Sequence, residues 1–311
     1  MAVSTNTILS RMTSPELQDV QTNLACMLYG GTGVGKTTLA AGLAQALLLT
    51  DDSRIGYVDS RENFVSLKNI VDGNGDYPLL RNLDRLQYES YGDLVAVAGA
   101  IKKKTSGFEN IEVVILDEFS SMADQVLDTI LRDRLGTPAT DIPTEVPDWT
   151  DYRPTMELCR KVIEAFLDAG VHVIITAHAQ QKADHRKVLI TMPSFSPKLN
   201  EKLQQLMHVT GYVSSEIGGT PSAPKYQRFV QSQPTALISA KTRAGGLRSA
   251  VKLPFEDFTN AVVDWIDGSM AQDLVDAASE DIVLAVDQLP TEGIPITEAG
   301  DDDPVFVDDG E

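Results

Sequence analysis

From Asn23 onward, short apolar runs rich in Val, Ile and Leu alternate with longer stretches whose apolar positions recur every three to four residues. Runs of four to eight apolar residues predict buried strands, and the longer recurrence predicts helices packed against them. Strands are expected at Leu24–Tyr29, Ile55–Asp59, Leu86–Glu89, Val113–Asp117 and His172–Thr176, with helices at Lys36–Leu49, Phe64–Ile70, Gly92–Lys103, Ser121–Leu135 and Thr155–Ala169. Strand and helix in alternation is the pattern of βαβ units, so the expected class is α/β with a mainly parallel sheet flanked by helices. After Thr176 the pattern changes to short strands at Val188–Thr191, Val209–Ser214, Tyr226–Val230, Leu237–Ala240 and Ala250–Leu253, which predicts an antiparallel C-terminal extension. An amphipathic helix at Glu256–Ile266 closes it. Pro138, Pro143, Pro147 and Pro154 predict a long surface loop between Gly136 and Pro154, because proline removes a backbone donor and breaks helix and central strand alike.

The two ends lack this periodicity. Residues 1–20 read as a Ser/Thr-rich arm, 21–268 as the folded core, and 269–311 as an acidic tail without stable structure. The net charge of −19 is very unevenly spread: all 26 Lys and Arg lie at or before Lys252, and 17 of the 45 acidic residues lie after it. The core is therefore close to neutral, and the charge excludes nucleic-acid binding only for the tail. No apolar run approaches the roughly 18 residues needed to span a bilayer, and the first 20 residues lack a secretory pattern. A cytoplasmic protein with no membrane partner is expected. Cys26 and Cys159 have neither metal-ligand nor disulfide spacing and read as core residues.

Chemistry concentrates where predicted strands end. Gly30-Gly31-Thr32-Gly33-Val34-Gly35-Lys36-Thr37 links the first strand to an Ala/Leu-rich helix, with Thr38 next in line. Successive glycines let backbone N–H groups converge on an anion. A lysine at the start of the helix adds its ammonium to the positive helix end. The pattern G-x-x-x-x-G-K-[ST] predicts binding of a nucleoside triphosphate, ATP, with the Thr37 hydroxyl directed to Mg²⁺. Val113–Leu116 delivers Asp117 and Glu118 to the edge of the sheet where ligands bind, and Asp117 is the expected metal partner. Two glutamates compete to activate the attacking water: Glu118, in the arrangement of AAA+ ATPases, and Glu62, shortly after the strand ending at Asp59, which we place first. The strand from Val171 to His178 is expected beside the first strand, with Thr176 or His178 near the γ-phosphate.

With these residues the chain resembles RecA-type P-loop ATPases over about residues 22–258, in particular small phage-encoded recombination ATPases and, more distantly, DnaB-type helicase cores. The most specific part of the resemblance is Leu237 to Gly246, containing Lys241-Thr242-Arg243, followed by Val251 to Phe255. It implies a RecA-like core working as a ring or filament, in which Lys241 and Arg243 reach the nucleotide of the adjacent subunit. It also implies single-stranded DNA as partner, held by the loop after the strand that ends at His178. Lys182, Arg186, Lys187 and Lys198 are the candidate contacts there, with Lys202 beyond and Phe195 available to stack a base. The chain departs from the RecA pattern in carrying Arg61 where the catalytic Glu is expected, with Glu62 one residue later. For a phage-encoded protein the host cytoplasm is the implied location. The acidic tail reads as a solubilising segment, an autoinhibitory competitor of DNA or a protein-docking segment. Two other activities share the same cradle: an AAA+-like or switch-type ATPase that loads or scaffolds partners, and a P-loop small-molecule kinase.

Overall fold

The computed structural model describes residues 23–70, 78–136, 138, 145–183, 187–220, 223–248 and 251–267. The expected arm at 1–20, the acidic tail at 269–311 and Arg186 lie outside the described residues.

Strand β1 (Ala25–Gly30) is buried at all six positions. Ala25, Met27 and Tyr29 enter one hydrophobic layer while Cys26 and Leu28 enter the other. Apolar residues at every position suit a central strand covered on both faces. On one side β1 pairs in parallel with β5 (His172–Ala183), and β4 (Ile111–Asp117), β2 (Arg54–Asp59) and β3 (Leu83–Gln87) follow in parallel. On the other side β7 (Val209–Thr220) is parallel to β1, and β8 (Ala223–Gln231) and β10 (Leu253–Pro254) continue antiparallel. The strand order is β10-β8-β7-β1-β5-β4-β2-β3, with β6 (Leu189–Pro193) on the outer part of β5 and β9 (Lys241–Thr242) on the start of β7. The expected α/β class, mainly parallel sheet and antiparallel extension are all present.

Helices α1 (Lys36–Ala46) and α6 (Phe255–Ile266) cover one face, with Leu39, Leu43, Phe258 and Val262 buried beside Cys26 and Leu28. The other face is covered by α2 (Tyr91–Lys102), α3 (Phe119–Leu135), α4 (Trp149–Asp168) and α5 (Pro197–Leu206). Leu94, Phe119, Val162, Phe166 and Leu203 are buried there in one core with Met27 and Tyr29. Cys26 and Cys159 are buried core residues, and burial pushes both thiols up, Cys159 to about 12.

Several local expectations are corrected. The predicted loop up to Pro154 ends earlier, because α4 begins at Trp149 and contains Pro154. Its start is fixed by a capping box in which Asp148 accepts from the Thr150 N–H (2.6 Å) and Asp151 accepts from the Asp148 N–H (2.9 Å). Asp151 is buried and paired with Arg134 (2.8 Å). This anchorage, with Met156, Cys159 and Val162 buried behind it, outweighs the one helix hydrogen bond that proline forfeits. Residues 63–69 form a 3₁₀ helix rather than an α-helix. Helix α5, started by Pro197, was not anticipated. The basic segment at Gln180–Ala183 is not a loop but the outer part of β5, paired with β6. Leu237–Ala240 forms no strand; Ile238 makes a single bridge to Thr191. Of the strand expected at Ala250–Leu253, Ala250 lies outside the described residues, and of the others only Leu253 is in β10.

Candidate functional site

The C-terminal ends of β1 and β4 lie level with the middle of β5, around Thr176 to His178, as parallel pairing in this register requires. Gly30 stands level with His178 of β5 and Val213 of β7, and Asp117 is level with Asp59. The glycine loop therefore emerges directly over the acids of β4.

Two glycines carry its shape. Gly33 and Gly35 have φ of 78° and 97°, a region that side-chain-bearing residues avoid. Gly30 is needed for another reason: a Cβ there would stand 2.4 Å from the Val213 carbonyl oxygen, so β7 lies too close to admit one. Lys36 is the first residue of α1, and its ammonium donates to the Gly30 and Gly31 carbonyls (3.2 and 2.9 Å). Burial lowers its pKa, partly offset by the carboxylates of Glu118 and Asp117. A buried ammonium beside a loop of free N–H groups is suited to an anion that replaces its lost solvation.

Asp117 is 1% exposed and is held by three hydroxyls. Thr37 donates to Oδ2 (2.8 Å), Tyr57 donates to the same oxygen, and Thr176 donates to Oδ1. Burial raises its pKa, and these hydrogen bonds only partly offset it. A divalent cation would supply the missing compensation. Thr37 and Asp117 are hard oxygen donors, the class Mg²⁺ selects, and Mg²⁺ typically takes one or two protein groups and completes its shell with phosphate and water. Among the described residues no group of three His, Cys, Asp or Glu is placed to hold a metal by itself, so phosphate and water oxygens would have to complete the shell.

Glu118 follows through a cis peptide bond and is 5% exposed. Its N–H donates to Ser60 Oγ (2.9 Å), Ser120 donates to Oε1 (2.6 Å), and His178 Nε2 lies 2.7 Å from Oε2. Glu62 stands on the wall of the same cavity, exposed, with φ 58°. Its turn is organised by Asp59, whose buried carboxylate accepts from the N–H groups of Arg61, Asn63 and Phe64 and pairs with Arg85 (3.0 Å). The side chain ending β2 is thus committed to shaping the turn. The cavity of about 540 Å³ gathers Thr32, Gly33, Gly35, Lys36, Thr37, Thr38, Glu62, Asp117, Glu118 and His178. Gly30, Gly31 and Val34 form the rest of the loop.

The remaining candidates lie elsewhere. Lys241 and Arg243 are not in this cavity. Lys241 pairs with Thr210 at the opposite end of β7, roughly 10 Å of strand before Val213 at about 3.3 Å per residue. Lys241 Nζ donates to the Gln204 carbonyl (2.5 Å) and Arg243 to that of Gln205 (3.3 Å), capping the C-terminal end of α5, where cations are favoured. Lys182 and Lys187 are exposed on the β5–β6 hairpin. Lys198 lies over the Trp149 ring at 3.9 Å, and Lys202 pairs with Glu157 (2.5 Å). Phe195 cannot stack a base: it is 6% exposed and packs edge-on against Phe119.

Three residues at the site were missed from the sequence. Tyr57 had a signal, since the two-residue strand period places it on the same face as Asp59. Ser120 and Arg228 had none, because Ser120 depends on the start of α3 and Arg228 on the β7–β8 register. Arg228, opposite Ser215, lines the cavity from β8.

Among the described residues no helix is long and apolar enough to cross a membrane. Comparison with curated proteins gives no match. A family model described as an AAA domain matches residues 22–244. Its span opens just before β1 and ends just past β9, taking in the glycine loop, Asp117 and Glu118, and by that match the chain belongs to the AAA-domain family of P-loop ATPases.

Proposed function

We propose that this ATPase domain hydrolyses Mg²⁺-bound ATP with Glu118 as the group that orients and deprotonates water, and that it acts on single-stranded DNA as an oligomer. The observation that carries the reading is the convergence of Lys36, Thr37, Asp117 and Glu118 on one cavity. Lys36 and the loop N–H groups bind the phosphates, and Thr37 and Asp117 hold Mg²⁺, which neutralises charge on the β- and γ-oxygens. Glu118 is favoured over Glu62 because its two oxygens are fixed by Ser120 and His178, and a general base must be held in position to act.

The DNA reading is supported by the course of β5. One strand carries Thr176 buried against Asp117, His178 at the cavity and Lys182 four residues further on, in the hairpin that also bears Lys187. A phosphate contact at the hairpin would be linked through a short rigid segment to Glu118. Lys241 and Arg243 lie outside their own site, and in this reading they exchange the carbonyls at the end of α5 for the site of a neighbouring subunit.

The test is steady-state turnover with and without single-stranded DNA for the wild type, Glu118→Gln and Glu62→Gln. Stimulation by DNA and loss of turnover in Glu118→Gln, with nucleotide binding retained, are expected. A Glu118→Gln variant with near-normal turnover would overturn the assignment, and turnover indifferent to DNA would overturn the DNA reading.

A further inference from the structure

Among the described residues Arg228 is a cation without a hydrogen-bond or ion-pair partner, beside an anion cradle. Arg54, Arg85, Arg134 and Arg160 each pair with a carboxylate, and Arg243 caps a helix. Among the described residues Arg228 makes no hydrogen bond or ion pair, although it is drawn tightly over the glycine loop. Its Cδ, Nε and Cζ lie 3.1, 3.1 and 3.2 Å from where a Cβ on Gly35 would stand. Gly35 therefore serves twice: it adopts φ 97°, and it leaves room for the arginine to lie against the backbone.

The placement follows from the hairpin. Val213 of β7 abuts Gly30, and two residues later Ser215 pairs with Arg228. This register places Arg228 of β8 against Gly35 of the glycine loop and in the lining of the cavity that holds Lys36 and Thr37. A guanidinium presents a flat fork of donors that matches phosphate oxygens and keeps its charge at any working pH. A glycine loop with an unpaired guanidinium lying against it suits a chain of phosphates.

We propose that Arg228 binds the phosphate chain of the nucleotide held by its own subunit, so that the β7–β8 hairpin completes the cradle in cis. The inference rests on the nucleotide-binding reading of this cavity. It adds a cation distinct from Lys36 and from the pair at Lys241 and Arg243. It also makes the hairpin, which carries Ile217 opposite Tyr226 with both side chains exposed, responsive to the occupied site.

Equilibrium binding of MgATP, MgADP and magnesium tripolyphosphate to the full chain tests this with the wild type, Arg228→Ala and Arg228→Lys. Arg228→Ala should weaken MgATP and tripolyphosphate by about tenfold to a hundredfold, the range for a lost hydrogen bond to a charged group. Arg228→Lys should recover part of the loss, and circular dichroism should be unchanged because the side chain lies on the surface. Equal affinity in Arg228→Ala and the wild type would overturn the inference while leaving the nucleotide reading intact. Weakened ATP with unaltered tripolyphosphate would also overturn it, by assigning the contact to base or sugar. A wild type that binds none of the three would overturn the nucleotide reading and the inference with it.

Discussion

His178 Nε2 stands 2.7 Å from Glu118 Oε2, joining the middle of β5 to the first residue beyond β4. The His178 N–H also donates to Ser120 Oγ (3.1 Å), and Ser120 in turn donates to Glu118 (2.6 Å). Backbone and side chain of one residue thus hold the same glutamate. His178→Ala should lower turnover by about tenfold, well short of the 10²–10⁴-fold typical of losing a general base, and should remove most of any stimulation by DNA. Steady-state kinetics with and without DNA reads both effects; a variant stimulated as strongly as the wild type would show that His178 does not link the hairpin to Glu118.

Tyr57 is fully buried and donates to the carboxylate oxygen that also accepts from Thr37. Tyr57→Phe leaves the ring packing in place and removes one donor from a buried acid. It should destabilise the fold by about 1.5–3 kcal/mol, the cost of a lost hydrogen bond to a charged group. The loss should shrink when saturating MgATP is present, since cation and nucleotide then compensate Asp117. Thermal denaturation with and without MgATP measures the difference.

The backbone N–H groups of Leu24 and Ala25 donate to Nδ1 of His172 (2.9 Å) and His208 (3.0 Å), which requires both imidazoles to be unprotonated there. Burial lowers both pKa values from 6.5; at His208 the charges of Arg243 and Lys241 lower it further. The unfolded chain then binds more protons than the folded one between pH 6.5 and the depressed values. Stability is fully present above pH 6.5 and declines as pH falls through that window, by at most about 1.4 kcal/mol per pH unit for each imidazole. Urea denaturation at pH 7.5 and 5.5 checks this, and Asn at both positions should flatten the slope, since its oxygen accepts the same N–H without titrating.

Gly30→Ala places a methyl group 2.4 Å from a backbone oxygen of β7, which no side-chain rotation relieves. The strand must move from β1, carrying the hairpin with it. Weakened nucleotide binding together with a lowered Tm is expected, whereas Gly31→Ala, whose Cβ would meet only Val34 at 3.8 Å, should be far milder. Calorimetric titration and thermal melts of the pair distinguish the two positions.

Much of this was legible along the chain because it is local. A glycine run between an apolar strand and an Ala/Leu helix dictates a phosphate cradle, and four apolar residues before Asp117 and Glu118 dictate a buried strand delivering acids to its edge. The continuous apolar runs likewise fixed the parallel α/β class, since only strands covered on both faces need them. Tertiary structure decided what depends on partners distant in sequence. Pro154 lies inside a helix because Arg134 and the core anchor that helix. Phe195 is withdrawn from any base because Phe119 occupies its face. Lys241 and Arg243 sit at the far end of β7 because β9 pairs with Val209 and Thr210. Which glutamate is held, and that Arg228 reaches the glycine loop, follow from strand register across β4, β5, β7 and β8, and register is a property of neighbours that no single stretch of sequence encodes.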